Sequence, residues 1–325
     1  MAEIHVRDLA ENLAFGSRIA GVTWDNIFDQ AIRAQIIEIF ETRGMIVFEG
    51  MDSTSKMQVE LSKIFGPLKE HPSQSTPRDK DAADAALGII DMHYKPRENP
   101  EEDCLVERNG RRIACYSPWH FDHCYNDELN RAGVLRAAIV APEEGRTGFA
   151  DGIDLYSRFP KHLRDGLENQ NIIYTLDTRL GTMRFGVDFK VISEAAQTPA
   201  LLLEAARFPR AMHPAVWTRK TGEKVLHIGP WMSVGMERRE DAEGDAFLDE
   251  VCRTLNALCS AEHVYWHEWN TSDMVIWDNW RMLHAVEGYN PKYERRMLRT
   301  TIKGDYGLGY FEDGKKIGEV HRQLA

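Results

Sequence analysis

The segment Ser117-Pro118-Trp119-His120-Phe121-Asp122 sets an imidazole and a carboxylate two residues apart. Along an extended strand successive side chains alternate faces, so His120 and Asp122 project to one side and Trp119 and Phe121 to the other. The first pair can grip one metal ion. A strand supplies only these two ligands, and a third has to come from elsewhere in the chain. His284, which ends Asp278-Asn279-Trp280-Arg281-Met282-Leu283-His284, is the candidate. Two histidines and one carboxylate on one face of a metal, with the opposite face open, is the ligand set of non-haem Fe(II) oxygenases.

A second pattern lies beyond His284. The turn-rich segment Glu287-Gly288-Tyr289-Asn290-Pro291 leads into Arg295 to Ile302, which reads as a returning strand. Period two places Arg295, Met297, Arg299 and Thr301 on one face and Arg296, Leu298, Thr300 and Ile302 on the other. An arginine fork binds carboxylates bidentately, so two guanidinium groups beside a metal suit a dicarboxylate co-substrate and an anionic substrate. A one-residue bulge would exchange Arg295 for Arg296, and a solvated charged strand face would show the same spacing.

Further short segments accompany these two: Phe65-Gly66-Pro67-Leu68 with His71-Pro72, Gly145-Arg146-Thr147, His213-Pro214-Ala215-Val216-Trp217-Thr218 with Thr221-Gly222-Glu223-Lys224, Ile276-Trp277-Asp278-Asn279, and Lys303-Gly304-Asp305. Taken in this order, nearly end to end, the chain resembles the taurine dioxygenase / chlorophenoxyacetate dioxygenase family of Fe(II)- and 2-oxoglutarate-dependent dioxygenases. The resemblance implies that His120, Asp122 and His284 hold Fe(II) and that 2-oxoglutarate and O2 take the open positions. Arg295 would clamp the distal carboxylate of 2-oxoglutarate, with a hydrogen bond from Thr147. Arg299, on the same strand face, would serve the anions in the pocket, and His71 with Arg299 would face an acidic group of the substrate. The products would be succinate, CO2 and a hydroxylated or oxidatively cleaved substrate. Because Asp122 fills the carboxylate position, halogenation is disfavoured. Two departures stand out. Arg146 precedes the threonine where relatives often carry Gly-Asp-Thr, and Gly229-Pro230-Trp231 stands where relatives commonly carry Asn, so Trp231 is a candidate pocket wall.

The 325 residues fit one enzyme-sized unit able to bury a sizeable core. A net charge of -11 argues against a sequence-independent nucleic-acid binder. No apolar run reaches membrane-spanning length and the N-terminus has no signal-peptide pattern. Five cysteines without a C-x-x-C pair suit a reduced cytoplasm. The partner expected is a small molecule with an acidic group, with neither nucleic acid nor membrane; dimers and tetramers are common among the proteins resembled.

The elements that must position these groups are legible in outline. Phe28, Ile32, Ile36, Ile39 and Phe40 recur at helical spacing and Gly44 stands where a cap belongs. Met45 to Phe48 is a short buried strand, and Ser53 is placed to cap a helix carrying Met57, Leu61, Ile64 and Phe65. Residues 73–115, rich in charge and turn formers, read as an active-site lid with a strand at Ala86 to Ile90. Tyr116 lies at even spacing from His120 and Asp122, shares their face if the strand starts that early, and is on that reading a candidate to line the pocket and bind substrate; His123 falls on the opposite face. Leu135 to Val140 and Thr147 to Ala150 read as strands, and residues 155–213 as a helical insertion. Phe208, Trp217, Trp231 and Met232 are the apolar residues suspected of shaping the pocket. Residues Glu240 to Ser260 form an amphipathic helix with Phe247, Val251, Leu255 and Leu258 on one face. His263 and His267, four apart, are a competing metal pair, but the surrounding Val264-Tyr265-Trp266 favours a strand, and the zinc-protease spacing is absent.

Many strands broken by turn signals, with helical inserts, point to a mainly β fold. The resemblance makes it a double-stranded β-helix, or jelly roll, flanked by helices and spanning residues 1–325 as one domain. At the level of sequence two rivals stay open: a metal-dependent isomerase or hydrolase on a cupin-like barrel that ignores 2-oxoglutarate, and a silent jelly-roll binding module. Phenoxy acids, sulfonates, sulfate esters and amino-acid-derived metabolites all fit as substrates.

Overall fold

The computed structural model describes residues 3–73, 75–77, 88–259, 262–317 and 319. Strands β1 (His5–Asp8) and β2 (Ser17–Ala20) precede α1 (Gln30–Arg43), β3 (Met45–Glu49) and α2 (Ser55–Lys63). Asp29 caps α1 by accepting from the N–H groups of Ala31 and Ile32, and Gly44 ends it at φ 79°, a left-handed conformation that carries no Cβ penalty in glycine. Phe28 lies ahead of the cap and is exposed, so it is not part of the α1 stripe. The cap of α2 is Thr54, which accepts from Met57 N–H; Ser53 instead bonds the Thr271 carbonyl.

The middle of the chain carries β4 (Ile90–Tyr94), β5 (Leu105–Arg108), β6 (Arg111–Ala114), β7 (Ser117–His120), β8 (Ala132–Ile139) and β9 (Thr147–Asp151). After them come α3 (Gly152–Arg158), α4 (Lys161–Leu167), β10 (Asn171–Tyr174), β11 (Lys190–Ser193), α5 (Pro199–Ala205), β12 (Ala211–Pro214), β13 (Val216–Thr218), β14 (Lys224–Leu226) and β15 (Ser233–Met236). The remaining elements are α6 (Ala242–Leu258), β16 (Val264–His267), β17 (Met274–Asp278), β18 (Met282–Val286), β19 (Arg295–Ile302) and β20 (Tyr310–Phe311).

A seven-stranded sheet runs β1-β2-β3-β17-β8-β19-β4, and a four-stranded sheet runs β16-β9-β18-β7. Period two sorts the large sheet cleanly. Ile46, Phe48, Val134 and Ile276 pack with Ile36 and Phe40 of α1 and Met57 and Leu61 of α2. Their neighbours Met45, Val47, Leu135 and Val275 turn the other way, into a cluster that also holds Phe149 of β9 and Met282 of β18. The two sheets therefore share one interior. The outer face of the smaller sheet, with Trp119, Phe121, Ala150 and Leu283, is covered by α3, α4, α6 and the strands β10 and β12. This is the helix-flanked jelly roll expected.

Four expectations about segments are corrected. Residues 155–213 are not simply helical, because α4 and α5 alternate with β10, β11 and β12, and β10 and β12 form the centre of a further sheet, β15-β10-β12-β20. Within 73–115, β4 is the edge strand of the large sheet and the β5–β6 hairpin pairs with β11, so only part of the stretch rims the cavity. Of the strand expected at Ala86 to Ile90, Ala86 and Leu87 lie outside the described residues, and the described strand starts only at Ile90. On α6 the buried stripe is Leu248, Val251, Cys252 and Leu255, rotated from the one expected, and Phe247 and Leu258 lie partly buried at its edge.

Candidate metal centre and co-substrate pocket

His120 ends β7 and is the register partner of His284 on β18. Asp122 comes two residues later, and among the described residues these three form the group whose ligand atoms all lie within 4.8 Å of one another. All three are buried. His120 donates its Nδ1 proton to the Pro118 carbonyl at 2.8 Å, which leaves Nε2 as the lone-pair nitrogen. The His284 ring packs against Trp277, at 4.9 Å, and Phe149, at 6.4 Å between centroids. Burial pushes both imidazoles below their ordinary pKa, so they stay in the neutral form that binds a metal.

Asp122 is fixed from several sides. Its backbone N–H donates to Asn279 Oδ1 at 2.8 Å and its carbonyl accepts from Asn279 Nδ2 at 3.1 Å. Arg299 Nη1 bonds Asp122 Oδ1 at 2.5 Å. Burial alone would raise the carboxyl's pKa, but the Arg299 guanidinium beside it outweighs this and holds Asp122 well below the ordinary carboxylate range. The group is therefore ionised throughout the physiological range. Its second oxygen, Oδ2, is buried without a hydrogen-bond partner among the described residues.

The triad opens into a cavity of about 410 Å³. Arg295, Met297 and Arg299 all line it, whereas Arg296 on the opposite face pairs with Asp91 at 3.0 Å. The strand parity thus holds, even though the β19–β8 ladder shifts register between Arg296 and Met297. Arg295 is buried over the Tyr289 ring, and its Nη2 has no partner among the described residues. Burial pulls its pKa down from the usual arginine value. Thr147, the first residue of β9, also lines the cavity, and its hydroxyl accepts from Trp269 Nε1 at 3.0 Å. The Arg146 departure is absorbed by Glu287, whose carboxylate takes both the Arg146 backbone N–H and its guanidinium. An unpaired carboxylate oxygen beside two neutral imidazoles fits a divalent metal, and a buried guanidinium with an unused donor fits the far carboxylate of a dicarboxylate.

His71 and Trp231 line the cavity as expected, Trp231 standing edge-on to His120 at 4.9 Å. His71 Nδ1 is engaged by the Ser73 backbone and Thr76 Oγ1, each at 3.1 Å. Met232 lines the cavity too, but Phe208 and Trp217 do not. Phe208 packs on Tyr125 and Phe311, and Trp217 donates its indole N–H to the Trp280 carbonyl.

Tyr116 is corrected. It precedes β7, behind Cys115 at φ 55°, and its ring meets Phe189 edge-on and carries the Arg108 guanidinium over its face, outside the cavity lining. His123 is corrected in the opposite sense. The strand has ended at His120 and His123 sits at φ 62°, so the alternation no longer applies and its ring lines the cavity. The pair His263 and His267 does not converge on a metal: His263 contacts Arg158, and His267 is buried against Tyr265 and Asp273. In the sequence Asn279 stands out only as part of a motif. Its backbone clamp on Asp122 depends on long-range pairing and leaves no local signal.

The family model described as "Taurine catabolism dioxygenase TauD, TfdA family" matches residues 5–301. The chain is 27% identical over 279 residues to the alpha-ketoglutarate-dependent 2,4-dichlorophenoxyacetate dioxygenase of Cupriavidus pinatubonensis, covering 83% of this chain and 88% of that one. It is 24% identical to the (S)-phenoxypropionate/alpha-ketoglutarate-dioxygenase of Sphingobium herbicidovorans, covering 90% and 92%. In fold it is similar to a taurine dioxygenase from Burkholderia xenovorans, with TM-score 0.66 at 18% identity, covering 96% of this chain and 94% of that one. It is also similar to AAD-2 in complex with Mn(II) and N-oxalylglycine, with TM-score 0.66 at 20% identity, covering 93% and 98%. The rival isomerase or hydrolase reading finds no support. With the match running from residue 5 to 301, the chain belongs to the TauD, TfdA family of dioxygenases, oxidoreductases that use Fe(II), 2-oxoglutarate and O2.

Proposed function

We propose that this enzyme oxidises a small organic acid with an apolar body, with His120, Asp122 and His284 holding Fe(II), and Arg295 and Thr147 holding 2-oxoglutarate. When bound, the iron, with 2-oxoglutarate and O2, supplies the oxidising power for C–H hydroxylation or oxidative cleavage, releasing succinate and CO2. The chain's own residues do the rest. Asp122, kept ionised by Arg299, brings the charge that the two neutral imidazoles lack. Arg295 waits with an unused donor in a low-dielectric wall, where its attraction for a carboxylate is less screened than in water. Trp231, Met232, Leu176 and Trp277 supply the apolar lining that keeps bulk water from the reacting centre. His71 and Arg299 are the groups proposed for the acidic end of the substrate.

The observation that carries this reading is the buried, unpartnered Arg295 Nη2 facing the same cavity as the His-Asp-His group. Relatives named for 2,4-dichlorophenoxyacetate, (S)-phenoxypropionate and sulfate esters support an anionic substrate class. All five cysteines are unpaired, which supports a reducing cytoplasmic setting. Among the described residues no helix is long and apolar enough to cross a membrane.

The test is an anaerobic titration of the metal-free protein with Fe(II) and then 2-oxoglutarate, tracking the visible charge-transfer band of the chelate. The band is expected in the parent and is lost or weakened in Asp122→Ala and Arg295→Ala. Binding of Fe(II) with no band on adding 2-oxoglutarate would sink the reading.

A further inference from the structure

The reaction as set out uses no atom of His123. This side chain is 3% exposed, and among the described residues neither of its ring nitrogens has a hydrogen-bond partner. It stands outside the group of converging metal-ligand atoms. A neutral imidazole carries one N–H donor and one acceptor, and burying both unpaired costs free energy that a structure normally recovers with a partner. Here the left-handed backbone at φ 62° turns the ring into the cavity. Its edge meets the His71 ring at 4.7 Å.

The surroundings of this ring favour an anion. Among the described residues lining the cavity Asp122 is the one carboxylate, and it is committed to Arg299 and the metal group. Glu204 is buried nearby but is taken by the hydroxyls of Ser73 and Ser75, at 2.8 and 2.6 Å. Both carboxylates are thus engaged by donors of their own, which leaves the His123 ring without a protein acceptor among the described residues and open to a bound acid. Leu176, Trp231 and Met232 line the same cavity and offer an apolar surface for the rest of the molecule.

We propose that His123 is a specificity-determining residue whose ring N–H donates to the carboxylate of an organic-acid substrate seated beside His71. The inference rests on the reading of this cavity as the substrate chamber of a 2-oxoglutarate-dependent dioxygenase. It adds a recognition group that strand parity hides, and it assigns the acid to the His71–His123 side of the chamber.

The test uses the full chain loaded with Mn(II) and N-oxalylglycine, titrated calorimetrically with phenoxyacetate and with its uncharged analogue phenoxyethanol. The parent is expected to bind the acid at least about tenfold more tightly than the alcohol, as a charge-assisted hydrogen bond implies. His123→Val is expected to weaken the acid about tenfold or more while leaving the alcohol and N-oxalylglycine unchanged. His123→Asn, which keeps a donor, is expected to recover part of the loss and serves as the second variant should the valine form fold poorly. Equal affinity of the parent for acid and alcohol, no binding of phenoxyacetate by the parent, or an unchanged affinity for it in His123→Val would each overturn the proposal. Failure of the parent to take up N-oxalylglycine with Mn(II) would instead overturn the underlying functional reading.

Discussion

Asp122 and Arg299 form a buried ion pair at the candidate metal centre, both side chains being about nine-tenths covered or more. Removing one partner of such a pair strands the other charge, at a cost of about 3–5 kcal/mol. Asp122→Ala is therefore expected to lower the stability of the metal-free protein as well as abolish tight metal binding, which urea unfolding and Fe(II) titration would separate. Unchanged stability in that variant would mean that Arg299 finds another partner or water. Arg295→Ala is a different case, since its Nη2 has no protein partner among the described residues to lose. It is expected to raise the 2-oxoglutarate concentration needed for half-saturation by about 10- to 100-fold, the loss of one charged hydrogen-bonded contact, with Fe(II) affinity little changed. Succinate release across a 2-oxoglutarate series reads the first quantity, and equal half-saturation in parent and variant would remove Arg295 from its assigned role.

Strand β9 shows what an element must do to place a single hydroxyl. Thr147 opens it, and the strand is held between β16 and β18. At the next position a Cβ on Gly148 would come within 2.8 Å of both the Trp119 and the Trp266 rings. Both indoles belong to strands flanking or closing the same sheet and cannot withdraw without disturbing it. Gly148→Ala is expected to cost about 1–3 kcal/mol through overpacking, measured as a lower urea midpoint at unchanged slope. An unaltered midpoint would mean that the indoles give way more easily than their packing implies. At its other end β9 is anchored by Asp151, which takes a bidentate bond from Arg281 at 2.8 and 2.7 Å. Arg281 lies three residues before His284, so the same pair ties the Thr147 strand to the strand of the third metal-ligand candidate.

At the scale of the whole molecule the buried histidines set the acid limit. Burial holds His213 down to about 3, His227 to about 4 and His267 to about 3. His213 and His227 each donate Nε2–H to a backbone carbonyl, of Asn126 at 2.8 Å and Asn279 at 2.9 Å. These rings are neutral in the folded protein, whereas the unfolded chain takes up protons near pH 6.5. Below that pH the unfolded state binds more protons than the folded one, so stability is complete above about 6.5 and falls as the pH drops toward 4 and then 3. The slope is up to about 1.4 kcal/mol per pH unit for each histidine. Urea midpoints of the metal-free protein are expected to stay level from about pH 7.5 to about pH 6.5 and then to fall toward about pH 5. A flat profile over that range would show that these rings are not buried neutral.

Much of the site is legible in the sequence because it rests on residue identity and on extended backbone. His120 and Asp122 two apart, and Arg295 and Arg299 on one strand face, are consequences of period-two geometry, and β19 keeps that geometry from Arg295 to Ile302. The large sheet is legible for the same reason, its residues dividing alternately between helices and interior. Only the tertiary structure decided which residues beside β7 face the cavity. Cys115 and His123, on either side of that strand, adopt positive φ of 55° and 62°. A left-handed residue swings its own side chain, or that of its neighbour, out of the alternation, so Tyr116 leaves the chamber and His123 enters it. Neither residue is glycine, the type that marks such a turn in a sequence, and the positions are stabilised by contacts from distant segments. The partners of Asp122 are hidden in the same way. Asn279 and Arg299 reach it from 157 and 177 residues away, and pairing across that separation is set by the closing of two sheets on one interior, which no local pattern encodes.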